Sequence, residues 1–205
     1  YCNELVKYNS DINGIEVLTR ILHGYTFSET LDYSLRLGAE EYAKKLGKAQ
    51  VKTYLLVRKN DNVVVGASNI RFNYPGGIRK FDGNIGYGIR PTERGKGYSK
   101  ILLYLTLLEC KKLEFKEVKL VCEKSNIASN KTILSLGGVL KLSQVDPSDK
   151  ILTNVAWISE EFDSESNITI TNQNGADRDS EPSTKPSVNK DNMENYSGNS
   201  NKEDL

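Results

Sequence analysis

Between residues 85 and 108 a period-two alternation gives way to a glycine-rich loop and then to an apolar run, and that change constrains the fold more than any other stretch. Ile85, Tyr87 and Ile89 alternate with Gly86, Gly88 and Arg90, the pattern of a strand with one bulky and one bare face. Bare strand glycines imply that something approaches the backbone closely there. Pro91 ends the pairing, Gly95 and Gly97 loosen the turn, and Ile101, Leu102, Leu103, Leu105, Leu107 and Leu108 continue as an apolar helix. A helix start exposes unpaired N–H groups and the positive end of its dipole. Arg94, Gly95, Lys96, Gly97, Tyr98 and Ser99 therefore read as a cradle for a phosphate or pyrophosphate, with two cations at its rim.

Two common phosphate loops do not fit. A P-loop needs a glycine where Arg90 stands and a Ser or Thr where Gly97 stands. The dinucleotide fingerprint lacks its third glycine. The segment from Arg94 to Ser99 instead resembles the acyl-CoA loop of the GCN5-related N-acetyltransferases, Gln/Arg-x-x-Gly-x-Gly/Ala, with Ser99 where that family usually has Gly or Ala. A basic turn that merely starts a helix is the plainer alternative. A second segment counts against it: Asn126, Ser129, Ile133 and Gly137 follow the family spacing Asn-x-x-Ala/Ser-x-x-x-Tyr-x-x-x-Gly. The resemblance covers residues 50–158 and is nearest to small bacterial acetyltransferases.

Composition divides the chain. Residues 159–205 hold almost no large apolar side chains, and carry 11 acidic and 4 basic residues against 16 acidic and 24 basic in 1–158. The tail is expected to be disordered, because it cannot bury enough surface to offset its ordering entropy. The expected division is a domain at 1–158 and an acidic polar tail at 159–205. A basic body suits a polyanionic ligand, and no aromatic-and-basic pattern for nucleic acid is present. Cys2, Cys110, Cys122 and His23 make neither a disulfide framework nor a zinc spacing, which suits a reducing, cytoplasmic setting without a metal. No apolar run reaches membrane-span length.

In order along the chain, the patterns predict short helices before residue 25 and a helix over 28–46. A hairpin of 53–58 with 63–72 turns at Asn60-Asp61-Asn62, and residues 73–80 form a candidate substrate loop. A strand at 117–122 should run parallel to the central strand, followed by a helix from 125 and closing strands at 138–145 and 151–158. The fold class is α/β (α+β), a mixed central sheet of about six strands flanked by helices. The resemblance implies a first strand that reads here as absent or only partly present, so the domain is expected to be truncated at its N-terminus.

The resemblance further implies acetyl-CoA as co-substrate, a primary amine of a small molecule or a protein N-terminus as acceptor, no metal, and a fold compatible with a homodimer. The backbone of Tyr87, Gly88 and Ile89 would hold the pantetheine arm, and the amides of Gly95, Lys96, Gly97, Tyr98 and Ser99 the pyrophosphate. Asn126 would bond the arm or simply cap its helix. Two customary groups are absent: Asn84 stands in place of a Glu base, and Ile133 in place of a proton-donating Tyr. Asp82 through water and Tyr87 on the central strand are the candidate catalytic groups, against plainer roles as a turn residue and a core aromatic. A catalytically weak acyl-CoA-binding regulatory module is the alternative function.

Overall fold

In the computed structural model of the chain, residues 1–15 and 19–159 are described; the 160–205 part of the expected tail lies outside them. Two short helices, α1 (Cys2–Lys7) and α2 (Thr19–Leu22), precede α3 (Phe27–Leu37) and α4 (Glu40–Lys45). The hairpin follows as β1 (Gln50–Arg58) and β2 (Val63–Phe72), then β3 (Ile85–Ile89), a 3₁₀ turn at Pro91–Glu93, and α5 (Tyr98–Lys112). β4 (Glu117–Glu123), α6 (Ile127–Ser135), β5 (Val139–Val145) and β6 (Leu152–Ser159) complete it. Among the described residues no strand precedes Gln50, and no helix is long and apolar enough to cross a membrane.

The helix expected over 28–46 is two helices. Thr26 starts the first: its hydroxyl accepts the Glu29 N–H at 3.2 Å while the Glu29 carboxylate accepts the Thr26 N–H at 2.8 Å, a capping box that displaces Ser28 as the start. Ala39 then turns extended, and the Gln50 side-chain amide donates to the Gly38 carbonyl at 2.9 Å. A long-range partner takes the carbonyl at the break.

The six strands form two three-stranded sheets, β1-β2-β3 and β4-β6-β5, in which each pairing is antiparallel. One core spans both. Leu103, Leu107 and Cys110 of α5 pack with Ile70 and Ile85 of the first sheet and with Val118, Leu120, Ala156 and Ile158 of the second. Burial of this apolar face, at roughly 25 cal/mol per Å², holds α5 across the junction.

Asn84 joins the sheets. Its N–H donates to the Lys119 carbonyl at 2.7 Å and its Oδ1 accepts the Lys119 N–H at 2.9 Å. Its Nδ2 donates to the Arg71 carbonyl at 3.1 Å. Beyond Asn84 the ladder between β3 and β4 stops. Asn84 lies beside Lys119, and Tyr87, three residues on, lies beside Cys122, so the two strands run in the same sense as they diverge.

Candidate functional site

Ladder parity decides which groups of β3 face the gap. Arg90 N–H donates to the Val65 carbonyl at 2.9 Å and Arg71 N–H to the Asn84 carbonyl at 2.7 Å. In an antiparallel pair such residues alternate, so Gly86 and Gly88 direct their backbone groups at β2. Ile85, Tyr87 and Ile89 direct theirs at the opposite edge, toward β4. Of the residues expected to offer backbone groups to the pantetheine arm, Tyr87 and Ile89 face the gap, the Ile89 carbonyl accepting from Arg94, and Gly88 faces β2.

The bare face of β3 is covered by the chain itself. A Cβ on Gly88 would lie 2.7 Å from the Asn13 carbonyl oxygen, and the Tyr1 hydroxyl donates to the Gly88 carbonyl at 3.2 Å. Gly14 packs so closely that a Cβ there would lie 2.8 Å from the Tyr87 Cα. The close approach implied by the strand glycines is therefore made by residues 13–14.

The glycine loop is open. Gly97 is the N-cap of α5 at φ 81, and no side chain caps this helix, whereas Asn126 caps α6 by accepting the Ser129 N–H at 3.0 Å. A Cβ on Gly95 or Gly97 would meet nothing within 4 Å. The start of α5 is thus exposed at its glycines and has no side-chain cap, which fits an anionic group. The rim cations are more committed than the sequence suggested. Lys96 pairs with Glu93 at 2.9 Å, and Arg58 pairs with the same carboxylate oxygen at 2.9 Å, which together hold Glu93 below the usual carboxylate range. Arg94 turns back: its Nε donates to the Ile89 carbonyl at 3.1 Å and its Nη2 to Ser10 Oγ.

Where β3 and β4 diverge, hydroxyls from three elements meet. Tyr87 Oη lies 2.8 Å from Ser129 Oγ, and Ser99 Oγ lies 3.2 Å from Thr132 Oγ1. Burial pushes the Tyr87 phenol up to about 12, against an opposing contribution from Ser129. Burial also raises the Cys122 thiol, which Ser129 partly offsets. Ser129 entered the sequence reading only as a motif match, and Thr132 did not enter it. Their shared signal is the three-residue spacing of Asn126, Ser129 and Thr132, which places them along one side of α6.

The family model for the GNAT acetyltransferases matches residues 16–137. The chain belongs to the GNAT family. No curated protein sequence matches it. Among solved structures, a proposed ribosomal-protein-serine acetyltransferase from Vibrio cholerae aligns at 20% identity and TM-score 0.44, over 53% of this chain and 64% of that one. A proposed acetyltransferase from Salmonella typhimurium, solved with its cofactor acetyl-CoA, aligns at 21% identity and TM-score 0.43, over 62% and 73%. Spermidine N-acetyltransferase from Vibrio cholerae, in complex with CoA and spermine, aligns at 14% and 0.48, over 67% and 78%.

The two positions at which the resemblance leads one to expect a catalytic side chain have structural occupations. Asn84 is the staple between the sheets. Ile133 is 3% exposed in the core. Asp82 holds a turn, its Oδ2 accepting the Arg79 N–H and the Arg79 Nε–H, each at 3.1 Å. Asp82 lies five positions before Tyr87, at most about 18 Å along an extended chain. Among the described residues no group of three or more His, Cys, Asp or Glu is placed to hold a metal ion.

Proposed function

We propose that this GNAT chain moves an acetyl group from acetyl-CoA to a primary amine, of a small molecule or a protein N-terminus, by direct attack. The observation that carries the reading is the uncapped, open start of α5 beside the outward-facing backbone edge of Tyr87 and Ile89. Acetyl-CoA would supply the acyl group already activated as a thioester. The amides of Gly95 to Ser99 would take its pyrophosphate, with Lys96 at the rim, and the β3 edge would align the pantetheine arm. Asn126, whose Oδ1 is engaged in the cap, retains its Nδ2 donors for that arm.

Tyr87 is the reacting-centre side chain in this reading. A phenol at about 12 is a weaker acid than a thiol near 8.5. Its role is therefore a hydrogen bond that stabilises the departing sulfur, while the proton lost by the attacking amine as the C–S bond breaks passes to the thiolate or to water. Ser129 Oγ fixes the direction of the phenol. We assign Asp82 to its turn rather than to base catalysis, since both of its bonds are to Arg79.

The test is acetyl-CoA consumption and mass-detected product across a panel of polyamines, aminoglycosides and peptides. Tyr87→Phe is expected to lower kcat by about 10- to 100-fold with little change in acetyl-CoA affinity, the scale of one hydrogen bond to a charge. An unchanged kcat would remove Tyr87 from the mechanism. A linked effect follows from the raised pKa. Where pH lies between about 10 and 12 the folded phenol keeps a proton that the unfolded one has lost. Stability thus falls as pH rises through that window, and Tyr87→Phe removes that loss. The buried Ile133 at the customary proton-donor position favours a second reading, a catalytically weak acyl-CoA-binding module. Saturable acetyl-CoA binding without turnover of any amine would select it.

A further inference from the structure

Residues 1–15 hold the turn that launches the glycine loop, and they do so at both ends. Glu4 of α1 takes three donors there: its Oε1 accepts the Thr92 N–H at 2.9 Å and the Thr92 hydroxyl at 2.7 Å, and its Oε2 accepts the Arg90 guanidinium. Two residues further on, Arg94 donates to Ser10. From the other side, Glu93 ties the same turn to Arg58 at the end of β1 and to Lys96 in the loop. The Pro91–Glu93 turn is thus gripped between an N-terminal clamp and a hairpin clamp.

The Glu4 side chain is only 13% exposed in its pairing with Arg90. Thr92 chiefly, with Arg90, holds its carboxyl down at about 2, so the clamp stays charged at any ordinary pH. In the loop beyond, Lys96 is tied to Glu93, while Gly95 and Gly97 both lie at positive φ and a Cβ on either would meet nothing within 4 Å. Amides that must converge on an anion lose conformational freedom on binding, and a fixed approach to the loop lowers that cost.

We propose that Glu4 is a positioning residue for the anion cradle: by fixing Arg90 and Thr92 it pre-orders residues 94–99 and so sets the affinity for the pyrophosphate of the co-substrate. This rests on the reading of the cradle as a pyrophosphate site, and the experiment separates the two. Glu4→Gln keeps the size of the side chain and removes the charge that Arg90 pairs with. Thr92→Val removes the hydroxyl bond while leaving Glu4 and Arg90 in contact.

Two measurements are made on wild type and both variants. The first, hydrogen exchange without ligand of the bonded amides of Thr92, Glu93 and Arg94 that lead into the loop, needs no cofactor. Glu4→Gln is expected to speed exchange there by roughly tenfold, the scale of one charge-assisted hydrogen bond, while amides in β2 and β6 keep their rates. The second is the KM for acetyl-CoA against that for S-acetylpantetheine, which lacks the pyrophosphate. The expected result is a roughly tenfold rise in KM for acetyl-CoA alone, with kcat retained and Thr92→Val intermediate. Unchanged exchange at residues 92–94 in both variants overturns the inference whether or not acetyl-CoA binds. An equal loss of both substrates, or faster exchange throughout the core, also overturns it, because the clamp would then be general scaffolding. Faster exchange at residues 92–94 with no acetyl-CoA binding by wild type leaves the clamp standing and removes the pyrophosphate reading.

Discussion

Gly97→Glu is expected to weaken acetyl-CoA binding by a hundredfold or more while leaving the protein folded. The two halves of that expectation have separate causes. Gly97 caps α5 at φ 81, a conformation that costs a residue with a Cβ about 1–2 kcal/mol. An added Cβ meets nothing within 4 Å, and a carboxylate at a helix N-terminus returns about 0.3–1 kcal/mol through the helix dipole. Net stability should therefore change by about 1 kcal/mol. The same carboxylate placed among the amides of Gly95 to Ser99 opposes a pyrophosphate, and like charges brought together cost several kcal/mol. Gly97→Gln carries the strain without the charge, and should fall between wild type and Gly97→Glu. Calorimetric titration and a thermal melt on each variant check both halves; equal affinities for the three proteins would show that the loop is only a helix start.

Gly14→Ala should produce the largest loss of stability among single methyl additions outside the core, about 2–4 kcal/mol by urea denaturation. The residue sits at φ 82, and an added Cβ would lie 2.8 Å from the Tyr87 Cα and closer still to the Ala67 carbonyl oxygen. Both are backbone atoms of paired strands, so neither can give way as a flexible side chain would. Residues 13–14 must lift from β3, taking Ile15 from its contact with Ala67 and the Tyr1 hydroxyl from Gly88. A change below about 0.5 kcal/mol, the ordinary range for surface substitutions, would mean that the N-terminal segment is not seated on the strand.

Local period and turn chemistry explain how much of this was legible beforehand. The strand, loop and helix from Ile85 to Lys112 could be read because alternation gives way to glycines and then to an apolar helix within one short segment. The β1/β2 hairpin was legible from Asn60-Asp61-Asn62, where Asn62 indeed takes a positive φ of 55. What failed depended on partners distant in sequence. Leu35, Ala39, Tyr42 and Ala43 keep helical phase through Gly38, so periodicity predicted one helix. The break shows only once Gln50 is brought to the Gly38 carbonyl. The capping box of Thr26 and Glu29 was local and readable, and outranks Ser28 because only Thr26 has a carboxylate three residues on.

The candidate site divides the same way. The cradle was visible as composition, but the direction of each strand carbonyl was not. Parity across β2 turns Gly88 inward and leaves Tyr87 and Ile89 at the open edge. Asn84 looked like the loss of a catalytic carboxylate. In the fold its amide meets both Arg71 and Lys119, a set of donor and acceptor contacts that a carboxylate could not make. Tyr87 reaches Ser129 only because α6 lies over the divergence of β3 and β4. No spacing rule links residues 42 positions apart.

The most direct test is calorimetric titration of the wild-type protein with acetyl-CoA, with ATP alongside as a polyphosphate that lacks the pantetheine arm. Saturable one-to-one binding of acetyl-CoA, with little heat from ATP, is the predicted result. No binding of acetyl-CoA by a sample whose circular dichroism shows the helices and sheets intact would contradict the assignment of the α5 start and the β3 edge as the co-substrate site.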